Sequence, residues 1–174
     1  MPKPALITIA TIHDVPSLSA LINSAYRGDS SKKGWTTEAG LLDGIRIDEP
    51  SLTKIIADIH SVILKCNDEN ERLVGCVYLQ KRQAKLYLGM LTVAPELQAK
   101  GIGKELLAAA ENHAKQTGCN GITMTVISVR KELIAWYIRH GYHPTGETQP
   151  FPTNQAFGQP RQSLEFIVME KNLY

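Results

Sequence analysis

The sequence predicts a mixed α/β fold: an antiparallel run of strands first, then a strand–helix–strand–helix–strand unit. Three observations predict it. Between residues 61 and 93, three apolar, strand-like runs follow one another across short turns, as in an antiparallel meander. Between residues 101 and 117, Ile102, Leu106, Leu107, Ala110 and Ala114 fall on one face of a helix. Beyond that helix, Gly118 and Gly141 punctuate an alternation of strand and helix patterns.

Each element has its own justification. Residues 5–11 are apolar and β-branched, the mark of a first strand. Thr11 and Asp14 then offer caps for a helix, and Pro16 is tolerated in its first turn if Asp14 is the cap. Its apolar face is Leu18, Leu21, Ile22 and Ala25, and it ends near Tyr26-Arg27-Gly28. Residues 29–34 are a polar loop. A second helix is expected from Trp35-Thr36-Thr37-Glu38 through Leu42, and a short third over residues 51–58. Strands follow at 61–66, 72–81 and 85–93, the first two joined by a turn at Asn67-Asp68-Glu69-Asn70. Pro95 ends the last of them. Helix 101–117, strand 121–127, helix 131–140 and strand 163–170 complete the chain. Residues 145–162, rich in Pro, Gly, Gln and Asn, read as a long loop. There is no internal repeat.

Composition narrows the class. A chain of 174 residues with 43% hydrophobic and 21% charged residues suits one soluble domain spanning 1–174. A net charge of +2 gives no basic face for nucleic acid. Cys66, Cys76 and Cys119 form no Cys-x-x-Cys pair and read as reduced, buried thiols. No run approaches the ~20 apolar residues of a membrane helix, and the first ten residues do not form a signal peptide. The five histidines lack ligand spacing, so no metal is expected. The expected setting is cytoplasmic, and exposed sheet edges are compatible with a homodimer.

The most informative segment is Leu91-Thr92-Val93-Ala94-Pro95-Glu96-Leu97-Gln98-Ala99-Lys100-Gly101-Ile102-Gly103-Lys104. A strand ends, a loop turns, and two glycines open a helix. The first N–H groups of a helix have no internal partners and sit at the positive end of its dipole, so this is a natural anion site. Glycines let a phosphate approach the backbone, and Lys100 and Lys104 add positive charge. A Walker A loop would need Gly at Gln98 and Ser or Thr at Glu105. A dinucleotide fingerprint would need a third glycine at Leu106. What remains is Leu91-x-Val93, Pro95, then Gln98-x-x-Gly101-x-Gly103, beside the plainer reading of two glycines that merely start a helix.

That pattern resembles the coenzyme A loop of the GNAT superfamily of N-acetyltransferases. A second segment, from Val129 to Tyr142, is similar to the superfamily's later helix, with Tyr137 on its tyrosine and Gly141-Tyr142 on its exit. The specific part of the resemblance covers residues 86–142. It implies a GNAT-type acyl-CoA N-acyltransferase fold, acetyl-CoA as cosubstrate and an amine as acceptor. It implies that the backbone of Leu91, Thr92 and Val93 pairs with the pantetheine arm. Gln98, Ala99, Lys100, Gly101, Ile102, Gly103 and Lys104 would cradle the pyrophosphate. A peptide N–H near Leu91 would polarise the thioester carbonyl, and Tyr137 would protonate the leaving thiolate. Tyr137 is also flanked by apolar neighbours and reads equally as a packed core aromatic.

Two departures stand out. The superfamily's asparagine is Arg130 here, which reads either as a contact to the coenzyme's phosphate end or as a solvated helix-start residue. A frequent carboxylate on the central strand falls at Tyr87, and no Asp or Glu lies between Ala84 and Pro95. Glu147, His143 or a water chain could serve in its place, and an amine that arrives with a neutral fraction, or loses its proton to water, needs no dedicated base. On the acceptor side, the resemblance points to Tyr26, Asp29, Trp35, Glu38 and Phe151, with the two acids attracting an amine and the three aromatics walling a pocket. The plainer reading of Asp29 is a loop-turn residue, and of Glu38 a first-turn helix acid. The near-neutral charge favours a small acceptor over a protein; a non-catalytic acetyl-CoA-binding module is the alternative from another class.

Overall fold

The computed structural model describes residues 6–27, 32, 37–152 and 158–174. Seven strands form the main sheet, in spatial order β1(Leu6–Ile9), β3(Ser61–Asn67), β4(Leu73–Arg82), β5(Lys85–Val93), β6(Gly121–Ile127), β9(Glu165–Asn172), β7(His143–Pro150). A two-residue strand β2(Leu42–Asp43) pairs with β8(Gln159–Pro160). Among the described residues there are four α-helices: α1(Val15–Tyr26), α2(Glu49–Ala57), α3(Ile102–Gln116) and α4(Lys131–Arg139). None of them is long and apolar enough to cross a membrane.

The helices split between the two faces of the sheet because their apolar stripes demand it. Leu18, Leu21 and Ile22 of α1 and Leu52 of α2 pack with Ile63, Cys76 and Met90 on one face. Leu106, Leu107, Ala110 and Ala114 of α3 pack with Val77, Leu79, Leu86 and Leu88 on the other, where Tyr137 of α4 joins them. Helix starts follow local chemistry. Asp48 caps α2 by accepting the Ser51 N–H at 2.8 Å. Asp14 precedes α1, but its carboxylate reaches back to the Thr11 N–H at 2.7 Å and to Lys65 Nζ at 2.9 Å.

Two expectations are corrected. The segment after residue 36 is not helical: residues 38–41 form turns, with the Leu41 and Leu42 N–H groups both donating to the Glu38 carbonyl. The stretch expected to be a loop from residue 145 contains most of β7, which pairs antiparallel with β9. Its Pro144, Pro150 and Gly146 concealed it, yet proline is tolerated in an edge strand, and Gly146 (φ +91°) lies within a register shift between Pro144 and Thr148. Every residue of β7 is exposed, so no alternation of apolar and polar residues marks it.

The junction of β5 and β6 positions everything that follows. It is the sheet's parallel pair, and only Lys85↔Gly121, Leu86↔Ile122 and Tyr87↔Thr123 are in register. Both strands continue beyond those pairs, so they diverge as a wedge. A bulge accompanies the divergence: Cys76 faces Thr92 but Tyr78 faces Gly89, and Met90 takes a left-handed φ of +49°. The extra residue switches the facing of the strand. Leu86 and Leu88 point to the α3 face, Met90 to the α1 face, then Leu91 and Val93 to the α3 face again.

Gly121 sits at the closed end of the wedge, where a Cβ would lie 2.9 Å from the Lys171 carbonyl oxygen of β9. Gly121→Ala must therefore push β6 and β9 apart, lowering the unfolding free energy by about 1–3 kcal/mol. Urea denaturation reads this, and an unchanged midpoint would show that the junction yields freely.

Candidate coenzyme and acceptor site

The loop after β5 is tied down at both ends. A short 3₁₀ turn, Pro95–Leu97, follows the strand. The Gln98 side chain folds back, its Nε2 donating to the Val93 carbonyl at 3.2 Å. Ala99 (φ +64°) and Gly101 (φ +93°) are both left-handed, and the exposed Gly101 occupies the N-cap position of α3. The first intrahelical bond runs from the Glu105 N–H to the Gly101 carbonyl at 3.1 Å. The N–H groups of Ile102, Gly103 and Lys104 therefore lie ahead of it at the positive end of the dipole. Ile102 packs partly into the α3 core, while Lys100 and Lys104 are exposed. A Cβ on Gly103 would lie 3.3 Å from the Trp136 indole, so glycine keeps this turn against α4.

Along the wedge runs a cavity of about 700 Å³, lined by β5 from Tyr87 to Leu91 and by β6 from Thr123 to Ile127. That volume suits a small molecule. Tyr26 and Glu38 border it on one side, Glu147, Gln149 and Phe151 on another, and Leu133 and Tyr137 of α4 on a third. None of residues 98–104 lines it. Phe151 stacks on Phe166, with ring centroids 5.2 Å apart.

Tyr137 is buried, edge-on to Trp136 at 5.2 Å and to Tyr142 at 5.7 Å. Burial pushes its phenol well above the ordinary value, so the hydroxyl keeps its proton at any physiological pH. Tyr26 donates its hydroxyl to the Leu91 carbonyl at 2.7 Å, which satisfies an oxygen beside the bulge. Burial pushes that phenol up to about 12. The carbonyls of Leu91 and Val93 thus already have one partner each, from Tyr26 and Gln98, and each retains a second lone pair. Thr92 is buried, its Oγ1 donating to the Met90 carbonyl at 2.7 Å, and it pairs with Cys76 of β4, on the edge of β5 away from the wedge.

Three charged residues form a buried cluster at the cavity wall. Glu38 Oε1 accepts from Arg27 Nε at 3.0 Å, and Glu38 Oε2 accepts from an Arg130 guanidinium nitrogen at 3.1 Å. Their side chains are 8%, 6% and 5% exposed. Burial pulls the Arg27 guanidinium below its ordinary value, and Glu38 opposes that pull. The expectation for Glu38 is corrected: it is not a first-turn helix acid, and its carboxylate faces two arginines, not an amine. Arg130 is likewise not solvated. It lines the cavity, within 5.9 Å of the Tyr26 ring. Of the remaining sequence candidates, Asp29 and Trp35 lie outside the described residues. Among the described residues, no group of three or more His, Cys, Asp or Glu stands together to hold a metal.

Residues 30–142 match the acetyltransferase (GNAT) family. The chain belongs to that family. A 90-residue stretch, 52% of the chain, is 30% identical to acetyltransferase Atu2258 of Agrobacterium fabrum and spans 64% of that protein's length. The fold is similar to that of paia N-acetyltransferase from Thermoplasma acidophilum, solved in complex with coenzyme A: TM-score 0.72, 20% identity, covering 98% of this chain and 99% of that one. It is also similar to the ribosomal-protein-S18-alanine N-acetyltransferase of Escherichia coli: TM-score 0.72, 15% identity, covering 97% and 94%. The mixed sheet expected from the sequence is thus the GNAT acyl-CoA N-acyltransferase fold.

Within this GNAT chain, Tyr87 stands on the central strand with its hydroxyl 3.3 Å from Thr125 Oγ1 and Arg82 stacked 3.9 Å over its ring. Of the two residues named as replacement bases, Glu147 lines the cavity and His143 does not. Arg46 and Arg82 also line the cavity, and nothing in their sequence surroundings signals it.

Glu38→Ala leaves two buried guanidinium groups without their shared carboxylate. It should cost about 3–5 kcal/mol of stability, the range for breaking a buried ion pair. Chemical denaturation measures this; a loss below 1 kcal/mol would mean that the cluster is solvated in solution.

Proposed function

We propose that this chain is an N-acetyltransferase that moves the acetyl group of acetyl-CoA to a primary amine of a small molecule. The observation that carries the reading is the wedge between β5 and β6, which opens onto the cavity and is followed by the glycine-opened start of α3. Divergent strands leave backbone groups for an extended chain such as pantetheine to pair with, as an added strand would. The α3 start suits the pyrophosphate, with the N–H groups of residues 99–104 and the charges of Lys100 and Lys104. A cavity of about 700 Å³ suits a small acceptor.

The amine nitrogen attacks the thioester carbonyl directly. A C–N bond forms, the C–S bond breaks, and the electron pair leaves on sulfur. A peptide N–H near Leu91 steadies the oxyanion. Tyr137 donates its phenolic hydrogen to the sulfur as charge develops there. Burial keeps the phenol protonated, so its hydrogen is present to bond the sulfur as the thiolate departs. The ammonium formed at nitrogen loses its proton to Glu147 or to water. The central strand carries Tyr87 where a carboxylate base would stand, with no Asp or Glu between Ala84 and Pro95.

Acetyl-CoA at saturating concentration should raise the melting temperature by several degrees, and Gly103→Val, which presses on Trp136, should abolish that rise. Absence of any shift in the native protein would sink the coenzyme reading. Tyr137→Phe should lower kcat about a hundredfold while changing the KM for acetyl-CoA little. Unchanged turnover would remove Tyr137 from the reaction.

A further inference from the structure

Among the described residues, the cavity lining contains four arginines, Arg27, Arg46, Arg82 and Arg130, against three glutamates, Glu38, Glu147 and Glu170. Glu38 is saturated by Arg27 and Arg130. Glu170 is bound by Lys85. That leaves Glu147 as the lining carboxylate with no ion pair among the described residues. It leaves Arg46 and Arg82 as lining cations with no carboxylate partner there.

Of those two cations, Arg46 is the one beside the transfer point. Its guanidinium carbon lies 5.5 Å from the centroid of the Tyr26 ring. Tyr26 is itself fixed to the Leu91 carbonyl at the bulge, and Asn23 of α1 holds the Arg46 backbone by accepting its N–H at 2.7 Å. Arg82 sits at the far, closed end of the wedge, stacked on Tyr87 with its Nε donating to Gln80 at 2.7 Å. Arg46 is therefore a half-buried guanidinium on an aromatic platform, anchored at its backbone, facing a cavity whose described lining has more arginines than glutamates. A cation in that setting is satisfied by an anion from outside the chain.

We infer that the acceptor carries a carboxylate or a comparable small anion in addition to its amine, and that Arg46 receives that anion. The acceptor is then of the amino-acid class, its amine directed to Glu147 and its anionic end to Arg46. The same charge balance disfavours polycationic amines, which would meet Arg46, Arg82 and the Arg27–Glu38–Arg130 cluster, with Glu147 as the one described lining carboxylate outside an ion pair. This inference rests on the acetyl-transfer reading above.

The test is thiol release from acetyl-CoA with three groups of acceptors: free amino acids, their carboxamides, and a polyamine such as spermidine. The native protein should favour an amino acid over its own carboxamide by about tenfold to a hundredfold in kcat/KM, the range of one charge-assisted hydrogen-bonded contact. Arg46→Gln should erase that preference through KM, leaving the carboxamide's kcat/KM within about twofold of the native value. In parallel, saturation-transfer NMR on coenzyme A-loaded protein should detect N-acetylated amino acids and lose them in Arg46→Gln. A native preference for the carboxamide or for spermidine would overturn the proposal. So would an amino-acid preference that survives Arg46→Gln, or equal loss of all acceptors in a variant of native thermal stability. Failure of acetyl-CoA to stabilise the native protein would instead overturn the acetyl-transfer reading itself.

Discussion

Backbone groups on neighbouring strands can bond to each other or to something else, and the divergence of β5 from β6 decides which. After Tyr87↔Thr123 the two parallel strands stop pairing, although both continue for several residues. In a buried sheet that would leave unsatisfied peptide groups at a cost of about 1–3 kcal/mol each. Local devices absorb part of this cost: Tyr26 bonds the Leu91 carbonyl, Gln98 bonds the Val93 carbonyl, and the bulge at Met90 re-aims the strand. The cavity, the placement of Tyr137 at its wall and the entry into the loop before α3 all depend on that opening.

A second constraint is electrostatic. The Arg27–Glu38–Arg130 cluster joins the end of α1, the turn after residue 37 and the start of α4 across the cavity wall. Such buried ion pairs contribute little net stability, because desolvation offsets attraction. Their effect is positional: each partner is costly to leave alone, so three separate chain segments are held in one arrangement. That arrangement supports Tyr26 from above and shapes the side of the cavity where an acceptor would sit.

The strands and helix that form the wedge are legible in the sequence, and the turns and edge strand beside the cavity are not, for physical reasons. Strand β5, helix α3 and strand β6 carry strong periodicity, and their expected limits match the observed ones within a residue. The loop before α3 is legible as a turn into a helix because Gly101, at the N-cap, takes a left-handed φ that glycine favours. Strand β7 was missed because an exposed edge strand has no buried face to impose alternation, and its prolines and glycine imitate a loop. The turns after residue 37 imitate a helix because Trp35-Thr36-Thr37-Glu38 has the pattern of a helix start, with Glu38 as its first-turn acid. Its real determinant is the pair of arginines it meets in space, 11 and 92 residues away. Arg46 escaped notice for the same reason: a lone arginine between two isoleucines acquires meaning only from the tyrosine ring and cavity it faces.

The central claim is that the wedge and the start of α3 together hold acetyl-CoA. Hydrogen–deuterium exchange with and without acetyl-CoA tests this most directly. The account predicts slower amide exchange in peptides covering residues 91–94 and 99–104, with little change in β1 or α2. Protection elsewhere, with those two segments unchanged while acetyl-CoA is bound, would contradict it.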